Sequence, residues 1–246
     1  MKRFFPTAIV VAIFFLGCDL LGGDSETPDS PREWSSEGIS AEILESIPKE
    51  FLATVELDLY VDLFRGDTPP DITGAYHFDP VFLSRTTIPD DFTPGTQWPS
   101  SYLRFMAQDM DTNTVNYEQL ESNPDGPDGR QAGENAYVIG EDDRFSVIAR
   151  ENVEIDGEFG ATVLFVFSGR IAAEGIVDLR TAVVMIENTD PHDDFPAGTG
   201  RSFETKTDGY AVRTDWPEST TTAVLFLDAS VDTQKARQVT TLAVLR

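Results

Sequence analysis

From Ile72 onward the chain is a succession of short runs rich in Val, Ile, Phe, Tyr and Thr, and this constrains the fold more than any other feature. The runs cover residues 72–78, 101–108, 113–120, 135–139, 144–150, 161–170, 175–187, 202–207, 210–214, 221–227 and 238–245, with Gly, Pro, Asn and Asp clusters between them. No helical crossover of ten or more residues separates the later runs, which argues against parallel βαβ units. Consecutive antiparallel strands in this number settle their edges by closing into a barrel or by pairing as a sandwich. In the run 161–170, Val163, Phe165 and Phe167 share one face and Leu164 and Val166 the other. That strand is expected to be central and covered on both sides.

Upstream, Ile39, Ile43 and Ile47 recur at helical spacing, with Ser40 as N-cap and Pro48 in the first turn of a continuation. The next stretch satisfies two periods: Phe51, Leu52, Val55 and Leu59 suit a helix, whereas Val55, Leu57, Leu59, Val61 and Leu63 alternate with polar residues as in a strand. We read a helix to about Thr54 and a strand after it.

The amino terminus supplies an address. Lys2 and Arg3 precede an apolar run of about thirteen residues, short of the roughly 20 that a spanning helix needs. Phe15-Leu16-Gly17-Cys18 resembles the lipobox of bacterial lipoproteins, although Phe15 and Leu16 depart from the usual Leu and Ala or Ser. The resemblance implies a signal peptide over residues 1–17 and acylation of Cys18, with palmitate-type chains as the membrane anchor; two or more chains hold firmly where one does not. Cys18 is the one cysteine, so no thiol remains for a disulfide, a metal or a nucleophile, and stability must come from a packed core. Residues 18–38, rich in Gly, Ser, Pro, Asp and Glu, read as an acidic flexible tether, and 39–246 as one antiparallel β domain. Acidic residues after the cysteine resemble the surface-export signal of some Bacteroidetes lipoproteins, and Asp19 alone resembles the inner-membrane retention signal of enteric bacteria. The cell envelope is expected, with the membrane left open.

The full chain carries 18 basic and 43 acidic residues, a net charge of −25. Loss of Lys2 and Arg3 with the leader leaves 16 against 43, or −27. Such a surface repels nucleic acid and anionic headgroups and favours cations at its acidic loops. Only Lys2, Lys49, Lys206 and Lys235 are lysines. An acidic, lysine-poor surface suits concentrated salt, where self-repulsion is screened within a few ångström; a halophilic source and plain solubility both account for it.

Three segments, Ile47 to Leu52, Arg65 to Tyr76 and Asp79-Pro80, resemble the opening of a group of uncharacterised lipoproteins from Bacteroidetes-like bacteria. The likeness runs to about Asp190 and implies a domain type without an activity. Gly74-Ala75-Tyr76 is also similar to the Gly-x-Trp that opens lipocalin (calycin) barrels, with Tyr for Trp; Thr214-Asp215-Trp216 echoes a later family motif only loosely, and a late-strand arginine is not placed. A lipocalin-like barrel with a short N-terminal helix is therefore the expected fold, a β-sandwich the alternative. It implies a small apolar or amphipathic ligand in the interior, or an envelope structural or adhesion module without one.

Catalytic chemistry finds little footing. His77 and His192 are the only histidines, and no Gly-x-Ser-x-Gly elbow, free thiol or phosphate loop occurs. No cofactor or metal site is assigned: Asp109-Met110-Asp111 begins like a calcium loop but has Thr114 and Leu120 where Gly and Glu are required. Asn123, Asp125 and Asp128 occupy a turn that suits an ion or a plain hairpin. His192 stands among Asp190, Asp193 and Asp194. Trp98, Tyr102, Phe105, Trp216 and Phe226 either line a cavity or fill the core.

Overall fold

The computed structural model describes residues 34–122, 129–155, 159–189, 195–205 and 210–217. The leader, Cys18, most of the tether, Asn123, Asp125, Asp128, His192, Phe226 and the runs 221–227 and 238–245 lie outside the described residues. No described helix is long and apolar enough to cross a membrane.

Ser40 caps α1 (Ala41–Ser46) by accepting a hydrogen bond from the Ile43 N–H at 3.3 Å, as its position predicts. Pro48 interrupts the helix and opens α2 (Lys49–Ala53), which continues as a π-helical turn, Thr54–Asp58. The strand expected after Thr54 does not form. Leu59, Val61 and Leu63 are buried and alternate with exposed Tyr60 and Asp62, so the period of two is real. The segment is held by side chains instead of a ladder. Ser202 Oγ donates to the Leu59 carbonyl at 2.8 Å, Ser168 Oγ to that of Asp62, and Ser146 Oγ accepts from the Phe64 N–H at 2.9 Å. A chain lying across a sheet face is too far from any strand edge to join its ladder, so buried hydroxyls satisfy its backbone.

The strands are β1 (Gly74–Phe78), β2 (Val81–Thr86), β3 (Gln97–Trp98), β4 (Ser101–Asp109), β5 (Thr114–Glu121), β6 (Gly129–Glu141), β7 (Arg144–Ile155), β8 (Phe159–Ala172), β9 (Gly175–Asn188), β10 (Gly200–Thr205) and β11 (Tyr210–Thr214). They form one antiparallel sheet in the order β11-β1-β4-β5-β6-β7-β8-β9-β10-β2-β3. The first part of β9 also pairs with β11, Ile176 facing Ala211, and this closes a ring of eight strands. Two separate packed sheets are not what forms. Later in β9, Arg180 to Val184 pair instead with β10, so β10, β2 and β3 leave the ring as a flap at one end.

β8 is central, as its double apolar face predicts. Val163, Phe165 and Phe167 pack inside the ring with Tyr76, Phe105, Tyr117 and Phe145. On its other face Leu164 and Val166 join Ile148 and Val184 under Ile43, Ile47, Leu52, Val55 and Leu59. The helices and the strap therefore cover the outer side of β6–β9, and two cores share one sheet.

Candidate functional site

Inside the ring, β5 turns alternate residues inward: Val115, Tyr117, Gln119 and Glu121. Tyr117 is fully buried and packs on Phe167, with ring centroids 5.1 Å apart. Its hydroxyl accepts from Gln131 Nε2 at 3.0 Å and donates to the Glu151 carboxyl. Burial foremost, then the Glu151 charge, holds the Tyr117 phenol well above its ordinary pKa; burial also raises Glu151. Gly133 allows this contact, because a Cβ there would collide with the Tyr117 ring and the Glu151 carboxyl.

Glu121 lies at the flap end of the same wall, opposite Ser101 of β4. It is 5 % exposed, and its Oε2 has no hydrogen-bond partner among the described residues. Burial pushes its pKa up to about 8, and a hydrogen bond from the Trp98 side chain opposes the rise. The carboxyl faces a recess of about 400 Å³, counting the solvent it opens on, of which about 30 Å³ admits a water-sized guest. Trp98, Phe165, Phe167 and Phe203 wall it, with Ser101 and Gln119 as neighbouring polar groups. Gln119 Nε2 donates to Ser101 Oγ at 3.0 Å.

Behind Trp98 sits a buried ion pair. Arg201 Nε donates to Asp91 Oδ2 at 2.7 Å, and both side chains are almost fully covered. The guanidinium carbon lies 5.5 Å from the Trp98 ring centre and 5.7 Å from those of Phe92 and Phe195. Burial alone would raise the Asp91 pKa, but hydrogen bonds from Arg201, Thr86 and the Phe92 N–H outweigh it and the value is lowered. Trp98 thus stands between the Glu121 carboxyl, which it hydrogen-bonds, and a guanidinium under its ring.

The far end of the ring is closed differently. Tyr76 donates to the Ile72 carbonyl at 2.9 Å, and Arg213, directly opposite on β11, donates to the Tyr76 hydroxyl and the Thr73 carbonyl, both at 3.1 Å. Its guanidinium lies 5.1 Å from the Tyr76 ring centre. Gly74 has φ +146°, and a Cβ there would run into the Arg213 guanidinium, so the close approach that a glycine here predicts is observed.

The aromatic group singled out from the sequence divides. Trp98 and Phe105 point into the core, with only Trp98 at the recess. Tyr102 faces outward and stacks on His77, centroids 4.3 Å apart, which places that histidine on the ring surface. Trp216 lies outside under Arg104, at 4.4 Å. Asp109 Oδ1 accepts from the N–H groups of Asp111 and Thr112 at 2.8 and 3.2 Å, which lowers its pKa and makes it the cap of the β4–β5 turn. Among the described residues no three His, Cys, Asp or Glu side chains gather where an ion would bind. Sequence reasoning missed Glu121 and Arg201; for Glu121 the signal was its parity with Val115 and Tyr117.

Comparison with protein-family models, with curated proteins and with solved structures finds no match to this chain.

Proposed function

We propose that the protein is a lipid-anchored component of a bacterial cell envelope whose domain is a lipocalin-like barrel acting as a binding module, with its seat at the Glu121 recess. The observation that carries the reading is a buried carboxyl, one of whose oxygens has no partner among the described residues, facing an aromatic-walled recess at the end of a closed ring. An orphaned buried polar atom costs roughly 1–3 kcal/mol, and such a cost is tolerated where a ligand completes the pairing. The lipocalin likeness draws support from the ring of eight strands and from Arg213 lying against Tyr76, where Gly74-Ala75-Tyr76 stands for the family's opening motif.

The interior between the two ends is filled by Tyr76, Phe105, Tyr117, Phe145 and Phe167. The ligand is therefore one that inserts a small head and keeps the rest of its body at the mouth. Titration of the mature protein with short single-chain amphiphiles, followed through the Trp98 indole N–H resonance, tests the seat. Movement of that resonance by one head class supports the reading; silence toward amine, alcohol and carboxylate heads alike removes it. The anchor is tested separately by the intact mass of the mature chain, which should begin at an acylated Cys18, and by Cys18→Ser, which should move the protein from membranes to the soluble fraction.

A second reading, an interaction module, is favoured by an outer groove of about 490 Å³ lined by Ile39, Ile43, Tyr137 and Ile139. That volume lies in the range of ligand sites, and Asn113 Oδ1 beside it is buried and unpartnered among the described residues. Silence at Trp98 makes this the better reading.

A further inference from the structure

We propose that the Glu121 recess takes a primary ammonium head, so that the ligand class is a small organic amine in its cationic form. This rests on the binding-seat reading above and gives it a chemical identity.

The first argument is the valence of the site. An ionised carboxylate only accepts hydrogen bonds; Glu121 receives one from Trp98, while Oε2 receives none from the described residues. What fits is a donor carrying positive charge. The second is the wall. Trp98 and Phe203 stand with ring centroids 5.2 Å apart, and Phe165 and Phe167 also border the recess, so a cation there meets aromatic faces whose quadrupoles attract it. The third is capacity. An ammonium has three N–H groups, and Ser101 and Gln119 border the same space with hydroxyl and amide oxygens for those that Glu121 leaves over.

Charge decides against the alternatives. Among the described residues no other titratable side chain lines the recess. Arg201 lies behind Trp98 and is held by Asp91; Tyr117 and Glu151 lie farther along the wall from β5 and β7. An anionic head would find no cationic side chain among the described residues that line the recess, and the ionised form of Glu121 would repel it. The recess admits water-sized guests over only about 30 Å³, which favours a compact –NH₃⁺ head over a bulky quaternary nitrogen.

Entry exchanges one cation for one proton: the carboxylic O–H bond of Glu121 breaks, the proton leaves to solvent, and the carboxylate pairs with the ammonium. Because Glu121 holds its proton up to about pH 8, affinity is set by the fraction already ionised. With that value, binding at pH 7 is roughly tenfold weaker than at pH 8.5 and at pH 6 weaker by nearly another tenfold.

The test uses the mature protein and methylammonium chloride, with sodium chloride at matched ionic strength, methanol, sodium acetate and tetramethylammonium chloride as comparisons. The readout is the Trp98 indole N–H resonance at pH 6, 7 and 8.5. A saturable shift by methylammonium alone, tightening with pH as stated and absent in Glu121→Gln, is the expected result. Gln keeps an acceptor for Trp98, and a dispersed spectrum of the variant verifies its fold. An equal response to sodium, methanol, acetate or tetramethylammonium, or an undiminished methylammonium response in the variant, overturns the amine assignment while leaving a binding seat. No response to any of them overturns both.

Discussion

The raised pKa of Glu121 makes a quantitative demand on stability. In the unfolded chain this carboxyl titrates near its ordinary 4.5, and in the folded protein near 8. The folded state therefore holds the proton more tightly. Its contribution is fully present below pH 4.5 and is lost as pH rises through 8. At 1.36 kcal/mol per unit, wild type loses about 4 kcal/mol from this group between pH 5 and pH 9, of which about 2.5 kcal/mol falls between pH 5 and 7. Glu121→Gln removes the proton but keeps the shape and the acceptor for Trp98. The stability difference between variant and wild type should thus climb in the variant's favour by roughly 1 kcal/mol per pH unit from pH 5 to 8, then flatten. Every other ionisable group is common to both proteins and cancels in the difference. Urea denaturation of both at unit steps from pH 5 to 9 reads the difference directly. A difference flat within about 0.5 kcal/mol would refute the claim that Glu121 is buried as a neutral acid.

Asp91→Asn strands the Arg201 guanidinium in an aromatic pocket and should destabilise by about 3–5 kcal/mol, measured by urea denaturation; an effect below about 1 kcal/mol would mean that the pair is solvated. Ser202→Ala orphans the Leu59 carbonyl and should cost about 1–3 kcal/mol, with faster amide exchange confined to the strap as its signature. Gly133→Ala should lower the melting temperature and also shift the Tyr117 hydroxyl environment, because the new methyl drives apart the phenol and the Glu151 carboxyl. If the acidic surface is an adaptation to salt, the melting temperature should rise from low to molar NaCl as the screening length falls from about 10 to about 3 Å; an unchanged melt would leave plain solubility as its cause.

Nine of the expected strands coincide with observed ones, differing mostly at their ends, because alternation of Val, Ile and Phe with polar residues is a local signal. β2 and β3 were not read. β2 spans only Val81–Thr86 directly after Pro80, and β3 is two residues, Gln97 and Trp98, which pair with Phe82 and Val81 of that unread strand. The alternation of Leu59, Val61 and Leu63 does mark one buried side, but serines some 80 to 140 positions away take the place of the ladder that a strand would need. Asp91 and Arg201, 110 positions apart, carried no mutual signal at all.

The sequence by itself determined the antiparallel β class, the helical entry capped by Ser40 and the central place of β8, since each follows from chemistry within a few residues. Tertiary structure alone decided that β9 would divide its partners between β11 and β10, closing a ring at one end and releasing a flap at the other. It alone buried Glu121 without a cationic partner among the described residues, while giving Asp91 the guanidinium of Arg201. The physical reason is desolvation: a carboxyl becomes chemically distinctive only when distant segments, here β3, β8 and β10, take water away from it, and that depends on how the strands close rather than on any local pattern.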